Sequence, residues 1–144
     1  MTRVVLDANQ YVSSLLKLHS NPAKIVRLVY VGDLTLLLSP AILDELQRVL
    51  SYPKIKKLHR RTPEEIERFL RTLDKIAVMT PGLLGVSAIA NDPSGNIYLA
   101  CAVEGSADFI VSGDHHLTDL KTFRGIPIVN PAIFLKLMAE RDKA

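Results

Sequence analysis

Four short apolar runs constrain this chain more than any other feature: "RVVLD" (Arg3–Asp7), "TLLLS" (Thr35–Ser39), "DFIVSGD" (Asp108–Asp114) and "IPIVN" (Ile126–Asn130). None alternates polar with apolar residues. A strand with one wet face would alternate, so these runs predict strands buried on both faces, as in a parallel sheet covered by helices. The intervening segments are patterned as helices. "NPAKIVRLVYVGDL" brings Ile25, Val26, Leu28 and Val29 onto one side and stops at Gly32. Ser39 and Pro40 open "SPAILDELQRVL" with an N-cap residue and a proline at the first helical position. Thr62 and Pro63 repeat that signal in "TPEEIERFLRTLDKI", where Glu64 and Glu65 fill the first turn. "GNIYLACAVEGSA" predicts a helix ending near Gly105, and "PAIFLKLMAERDKA" a terminal helix. Strands alternating with helices predict an α/β domain with a central, mainly parallel sheet. The 144 residues suit one domain spanning 1–144. The longest irregular stretch, Met79–Asn96, is too short to link to a second one.

Composition narrows the class. The single cysteine, Cys101, excludes an internal disulfide and fits a reducing, cytoplasmic setting. The amino terminus enters a strand at once, without the charged leader and apolar stretch of a signal peptide. Every window of about 18 residues carries charge, so no membrane span is expected. A net charge of +3 says little, but five of the 18 basic residues crowd into "KIKKLHRR", Lys54 to Arg61. Lys54, Lys57, Arg60 and Arg61 are candidate phosphate contacts. The plainer reading of the same run is a solvated loop or helix end.

Two of the predicted strands end on acids, Asp7 and Asp114. In open parallel sheets ligands bind beyond the carboxyl ends of the strands. If these two strands are neighbours, both carboxylates project into one crevice, with Asn9 beside the first and Ser112 before the second. Each aspartate alone also reads as a helix N-cap. Two in one crevice repel unless a cation or proton lies between them. On the helix from Pro40, steps of about 100° gather Ile42, Leu43, Leu46, Val49 and Leu50 into one stripe. Asp44 lies opposite, but Glu45 lies at the stripe's edge, about 40° from Val49. A carboxylate there turns out to water, pairs with an arginine such as Arg48, or serves a site. Asp92, in "NDPSGN", reads as turn chemistry or as a further acid ahead of a helix. Hard oxygen ligands of this kind suit Mg²⁺ or Mn²⁺, and such ions support phosphodiester hydrolysis. No phosphate-binding glycine loop, zinc-spaced Cys/His set or nucleophile elbow competes. His115 and His116 read as polar loop residues. A receiver-like domain, which also gathers strand-end acids, is disfavoured: Asp7 has no adjacent acid and "IPIVNP" supplies no lysine.

The segments "RVVLDANQYVSSLL", "LLLSPAILDELQRVL", "NDPSGNIYLACAVEGSADFIVSGDHHLTDLKTF" and "IPIVNPAIFL" together resemble the PIN-domain family, most closely its toxin branch from toxin–antitoxin pairs. The likeness runs from about residue 1 to 135, with the motifs in order. It implies a Rossmann-like three-layer α/β/α sandwich and a Mg²⁺- or Mn²⁺-dependent ribonuclease site. By this likeness the family's first acid falls on Asp7 with Asn9 beside it, the helical glutamate on Glu45, and the later acid on Asp114 with Ser112. Asp92 matches the first acid of the loop, with Asn96 following. Ser94 and Gly95 stand where related sequences carry carboxylates. The resemblance further implies an RNA substrate, a cognate antitoxin and a homodimer. The depleted loop leaves a second possibility, a PIN fold with weakened catalysis that binds RNA or a protein.

Overall fold

The computed structural model describes residues 1–86 and 93–143. Asp92 lies outside the described residues. Strands β1 (Arg3–Leu6), β2 (Thr35–Leu38), β3 (Val78–Met79), β4 (Phe109–Val111), β5 (Thr122–Phe123) and β6 (Ile126–Val129) form one sheet in the order β3-β2-β1-β4-β6-β5. The helices are α1 (Ala8–Leu16), α2 (Asn21–Tyr30), α3 (Pro40–Leu50), α4 (Pro53–His59), α5 (Pro63–Ile76), α6 (Asn96–Glu104), α7 (His115–Thr118) and α8 (Pro131–Lys143).

The non-alternating runs are buried on both faces, as their composition demands. Val4, Val5, Leu6, Leu36, Leu37, Leu38, Ile110 and Val111 are at most 1% exposed. β1 pairs in parallel with β2 on one side and β4 on the other, and β4 pairs in parallel with β6. The chain therefore leaves β1 toward β2, then returns across the sheet to β4. Parallel connections are right-handed, so crossovers in opposite directions put their helices on opposite faces of the sheet. α6 packs on β1, β2 and β4, while α2 packs on α1 and α8. The carboxyl ends of β1 and β4 flank the point where the strand order reverses, which is where such sheets open a crevice.

Five elements depart from the pattern read in the sequence, one of them α7, a single helical turn that takes in His115 and His116 where a loop was read. α1 begins immediately after Asp7, with no linker to announce it. The basic run forms α4, with Pro53 at its first position and Arg60 in the left-handed conformation at its end (φ 54°). β3 is a two-residue exposed edge strand at the start of the stretch read as irregular, held by β2 rather than by its own pattern. β5 runs antiparallel to β6 through Arg124 and Gly125, both at positive φ. That is the two-residue turn whose twist suits a hairpin. The sheet is otherwise parallel, as expected.

Candidate active site

Asp7 caps α1: its Oδ1 accepts from the Gln10 amide at 3.2 Å. A surface cap would do that and no more. Asp7 is 4% exposed, and its other oxygen accepts a hydrogen bond from the Ser112 hydroxyl. Ser112 is fully buried, and its Oγ also accepts from the Asp114 amide at 2.9 Å. A hydroxyl has one proton to give, so Ser112 donates to Asp7 and receives from Asp114. It thereby ties the end of β1 to the turn after β4. Asp114 in turn caps α7, accepting from the His116 amide at 2.9 Å. The sequence left each aspartate as a cap or as part of a crevice. Both are caps, and both face the same crevice.

That crevice has a volume of about 90 Å³ and is lined by Asp7, Ala8, Asn9, Glu45, Val49, Ser94, Gly95, Tyr98, Asp114 and Leu117. Glu45 reaches it from α3, whose wheel behaves as its pattern requires. Ile42, Leu46 and Leu50 are buried, Leu43 and Val49 half-buried, and Asp44 exposed. The Glu45 side chain is 17% exposed and its Oε1 lies 3.9 Å from Arg48 Nη2. That arginine side chain is 62% exposed, so the contact is a weak, solvent-screened one. Three carboxylates thus share one small cleft, and only Glu45 has a lysine or arginine ion pair among the described contacts.

The electrostatics follow from this crowding. Burial raises the Asp7 carboxyl above its ordinary range; the bonds from Ser112 and Gln10 oppose that shift, and the nearby Asp114 charge adds to it. A buried carboxylate facing other carboxylates is costly to ionise alone. A divalent cation relieves that cost, and an all-oxygen donor set suits a hard ion. Asp7, Glu45 and Asp114 offer such oxygen atoms on one cleft.

Ser94 and Gly95 line the cleft, and neither brings a carboxylate. Asn9 lines the cleft; Asn96, the first residue of α6, does not. None of Lys54, Lys57, Arg60 and Arg61 lines it either. Lys54, Lys57 and Arg60 are exposed. Arg61 is part-buried and donates from Nη2 to the Leu15 carbonyl at 3.2 Å, which fixes it to the end of α1.

Two residues were not foreseen. Tyr98, 4% exposed, accepts the Ala8 amide on its hydroxyl at 3.1 Å, so α6 holds the start of α1. Gln10, also 4% exposed, donates its backbone amide to Asp7, and its side chain helps to favour the ionised Asp7 carboxyl. The signal for Gln10 was its place three residues after Asp7, but it becomes readable only once a helix is known to start at Ala8. A larger groove of about 620 Å³ lies on the other side of α3, against α4 and α5. It is lined by Leu43, Leu50, Ile66 and Leu70, and its acids Asp44, Glu67 and Asp74 are interspersed with Lys56, Arg61 and Arg71, whereas the cleft has acids and no lysine or arginine in its lining.

A family model described as PIN domain matches residues 3–116. The chain belongs to the PIN-domain family. The match runs from β1 into α7 and so takes in Asp7, Glu45 and Asp114. MJ1680, an uncharacterised protein of Methanocaldococcus jannaschii, is 26% identical to this PIN domain over 119 residues, 83% of this chain and 75% of its own. Among solved structures, VapBC2 of Rickettsia felis, bound to a DNA fragment from its promoter, superposes with a TM-score of 0.57 at 14% identity. That match covers 90% of this chain and 98% of the matched one. At such identity the likeness is one of fold, and it agrees with the three-layer α/β/α architecture. No described helix of this PIN domain is long and apolar enough to cross a membrane.

Proposed function

We propose that this PIN domain is a metal-dependent endoribonuclease. The observation that carries the reading is the convergence of Asp7, Glu45 and Asp114 on one cleft at the sheet's reversal point, with Ser112 bridging two of them. The three carboxylates, with Asp92 as a possible fourth, would hold Mg²⁺ or Mn²⁺. When bound, such an ion polarises a phosphoryl oxygen and lowers the pKa of a coordinated water. The chain's own residues do the rest. Ser112 and Gln10 hold the Asp7 carboxylate in a single orientation. Tyr98 keeps α1, and so Asp7 and Asn9, in register with the cleft wall. Asn9, exposed at the rim, can hydrogen-bond a phosphate or sugar.

The cleft is small, about 90 Å³, and the RNA backbone would lie across its mouth. That geometry suits single-stranded or looped RNA. Lys54, Lys57 and Arg60, exposed on α4 and its end, are our candidates for flanking phosphates, with Arg61 the weaker one because of its bond to α1. A cognate antitoxin partner is supported by the likeness in fold to the VapBC2 structure, and a homodimer by family resemblance alone. Ser94 and Gly95 at the cleft wall favour one alternative, a PIN fold with weakened catalysis that binds RNA or protein.

Incubation with a structured RNA and Mn²⁺ separates the two. The nuclease cleaves, EDTA abolishes cleavage, and Asp114→Asn reduces it by about 100-fold or more, in line with lost metal stabilisation of charge. RNA binding that persists without cleavage at any Mn²⁺ concentration would support the binding module.

A further inference from the structure

His115 and His116 play no part in the proposed hydrolysis, yet they are not splayed apart as neighbours on a helix usually are. Their ring centroids are 4.1 Å apart and the rings are tilted by 37°. Asp114, His115 and His116 each offer one ligand atom, and these atoms all lie within 4.8 Å of one another. Asp114 Oδ1 is 3.3 Å from His116 Nδ1 and 4.0 Å from His115 Nδ1. With metal–ligand bonds of about 2.0–2.1 Å, the ligand–ligand edge of a tetrahedral site is about 3.3 Å. One edge therefore has the required length already. The Asp114–His115 edge must close by under about 1 Å and the edge between the two histidines, within 4.8 Å, by at most about 1.5 Å; the His115 side chain, 74% exposed, has room for both changes. Asp114 is held by its bonds to Ser112 and to the His116 amide, so one ligand is positioned in advance.

Two imidazoles with one carboxylate make a borderline donor set. It favours Zn²⁺, Co²⁺, Ni²⁺ or Cu²⁺, and not the hard ions suited to the all-oxygen cleft. We propose that Asp114, His115 and His116 form a second cation site, selective for a borderline transition ion, which draws on the Asp114 carboxylate. Asp114 then belongs to two sites of opposite preference. A transition ion on the histidine side competes for the ligand the acidic cleft needs, and Zn²⁺ inhibits. The binding rests on the geometry of the three residues alone; the inhibition rests on the nuclease reading.

The test is a Co²⁺ titration of the full chain, followed by visible absorption and then by Zn²⁺ displacement. With excess Mg²⁺ present, one Co²⁺ per chain is expected, displaced by one Zn²⁺. Loss of an outer partner of a metal ligand already costs about 10–100-fold in affinity. His115→Gln and His116→Gln should therefore each weaken binding by about tenfold or more. The double variant should lose this binding and keep only the Co²⁺ of the acidic cleft, which excess Mg²⁺ displaces, and Asp7→Asn should keep it. His115 is exposed and His116 half-exposed, so unchanged thermal melting is expected to show that the variants fold. A cobalt spectrum that resists excess Mg²⁺ in the double variant, or that disappears in Asp7→Asn, would overturn the site. So would a titration that fails to saturate below millimolar Co²⁺. In the Mn²⁺ cleavage assay, stoichiometric Zn²⁺ should suppress wild type and spare the double variant. Binding without suppression would overturn the sharing of Asp114. Absence of any cleavage would overturn the nuclease reading, while the cobalt titration still decides the site.

Discussion

At the scale of single residues, Ser112 is the pin of the candidate site. Its hydroxyl is fully buried and joins Asp7 to the Asp114 amide. Ser112→Ala leaves a buried carboxylate oxygen and a part-buried N–H without that partner. Loss of such partners costs about 1–3 kcal/mol. We expect a drop of that size in chemical denaturation, and weaker Mn²⁺ binding even where the variant is folded. Asp7 gives a pH-dependent signature. Its folded carboxyl titrates above the ordinary value of 3.8, chiefly through burial. The folded state therefore favours the neutral form. That contribution is fully present below 3.8 and is lost as pH rises through the raised folded value. Asp7→Asn mimics the neutral carboxyl and still caps α1. In the absence of metal it should be more stable than wild type near neutral pH, and the gap should close on acidification. Melting curves across pH 4–8 read this directly; a gap that widens toward acid would contradict it.

At the scale of elements, legibility followed local pattern. Helices α3 and α5 were readable because Ser39-Pro40 and Thr62-Pro63 mark their starts, and Thr62 and Glu65 do form a reciprocal capping box. The wheel of α3 put Glu45 at the edge of a buried stripe, since a helix fixes angles by residue number alone, but not which neighbour that edge would face. α1 was not legible, because the acid that ends β1 is also its cap and leaves no gap. β3 and β5 are two residues each, too short to carry a pattern of their own: β3 is held by β2, about 40 residues earlier in the chain, and β5 by β6 across the two-residue turn. Contacts such as Tyr98 with Ala8 and Gln10 with Asp7 were equally hidden, because they depend on how elements dock. The end of α6 shows how tight that docking is. A Cβ on Gly105 would meet Leu37 Cδ1 at 2.6 Å, and Leu37 is fully buried in β2. Gly105→Ala should cost about 1–3 kcal/mol through overpacking, measured as a shift in the urea midpoint at constant slope. The neighbouring Glu104 accepts the amides of Gly82 and Leu83 at 2.9 Å and of Leu84 at 3.3 Å, fastening the chain that follows β3.

At the scale of the whole molecule, strand order creates the site. β1 sits between β2 and β4, so acids more than 100 residues apart in sequence meet across one sheet junction. Apolar runs in the sequence were enough to argue a parallel sheet, and acids at two strand ends were enough to argue a crevice. That β1 and β4 are neighbours had to come from the structure. The depleted loop is the molecule's own signature: Ser94 and Gly95 face the cleft, leaving Asp7, Glu45 and Asp114 as its acids among the described residues. Calorimetric titration of Mn²⁺ into the metal-free wild type and into Asp7→Asn, Glu45→Gln and Asp114→Asn tests the convergence most directly. The account predicts saturable binding in wild type and a loss of affinity of about tenfold or more in each variant. Equal Mn²⁺ affinity in all four proteins would contradict it.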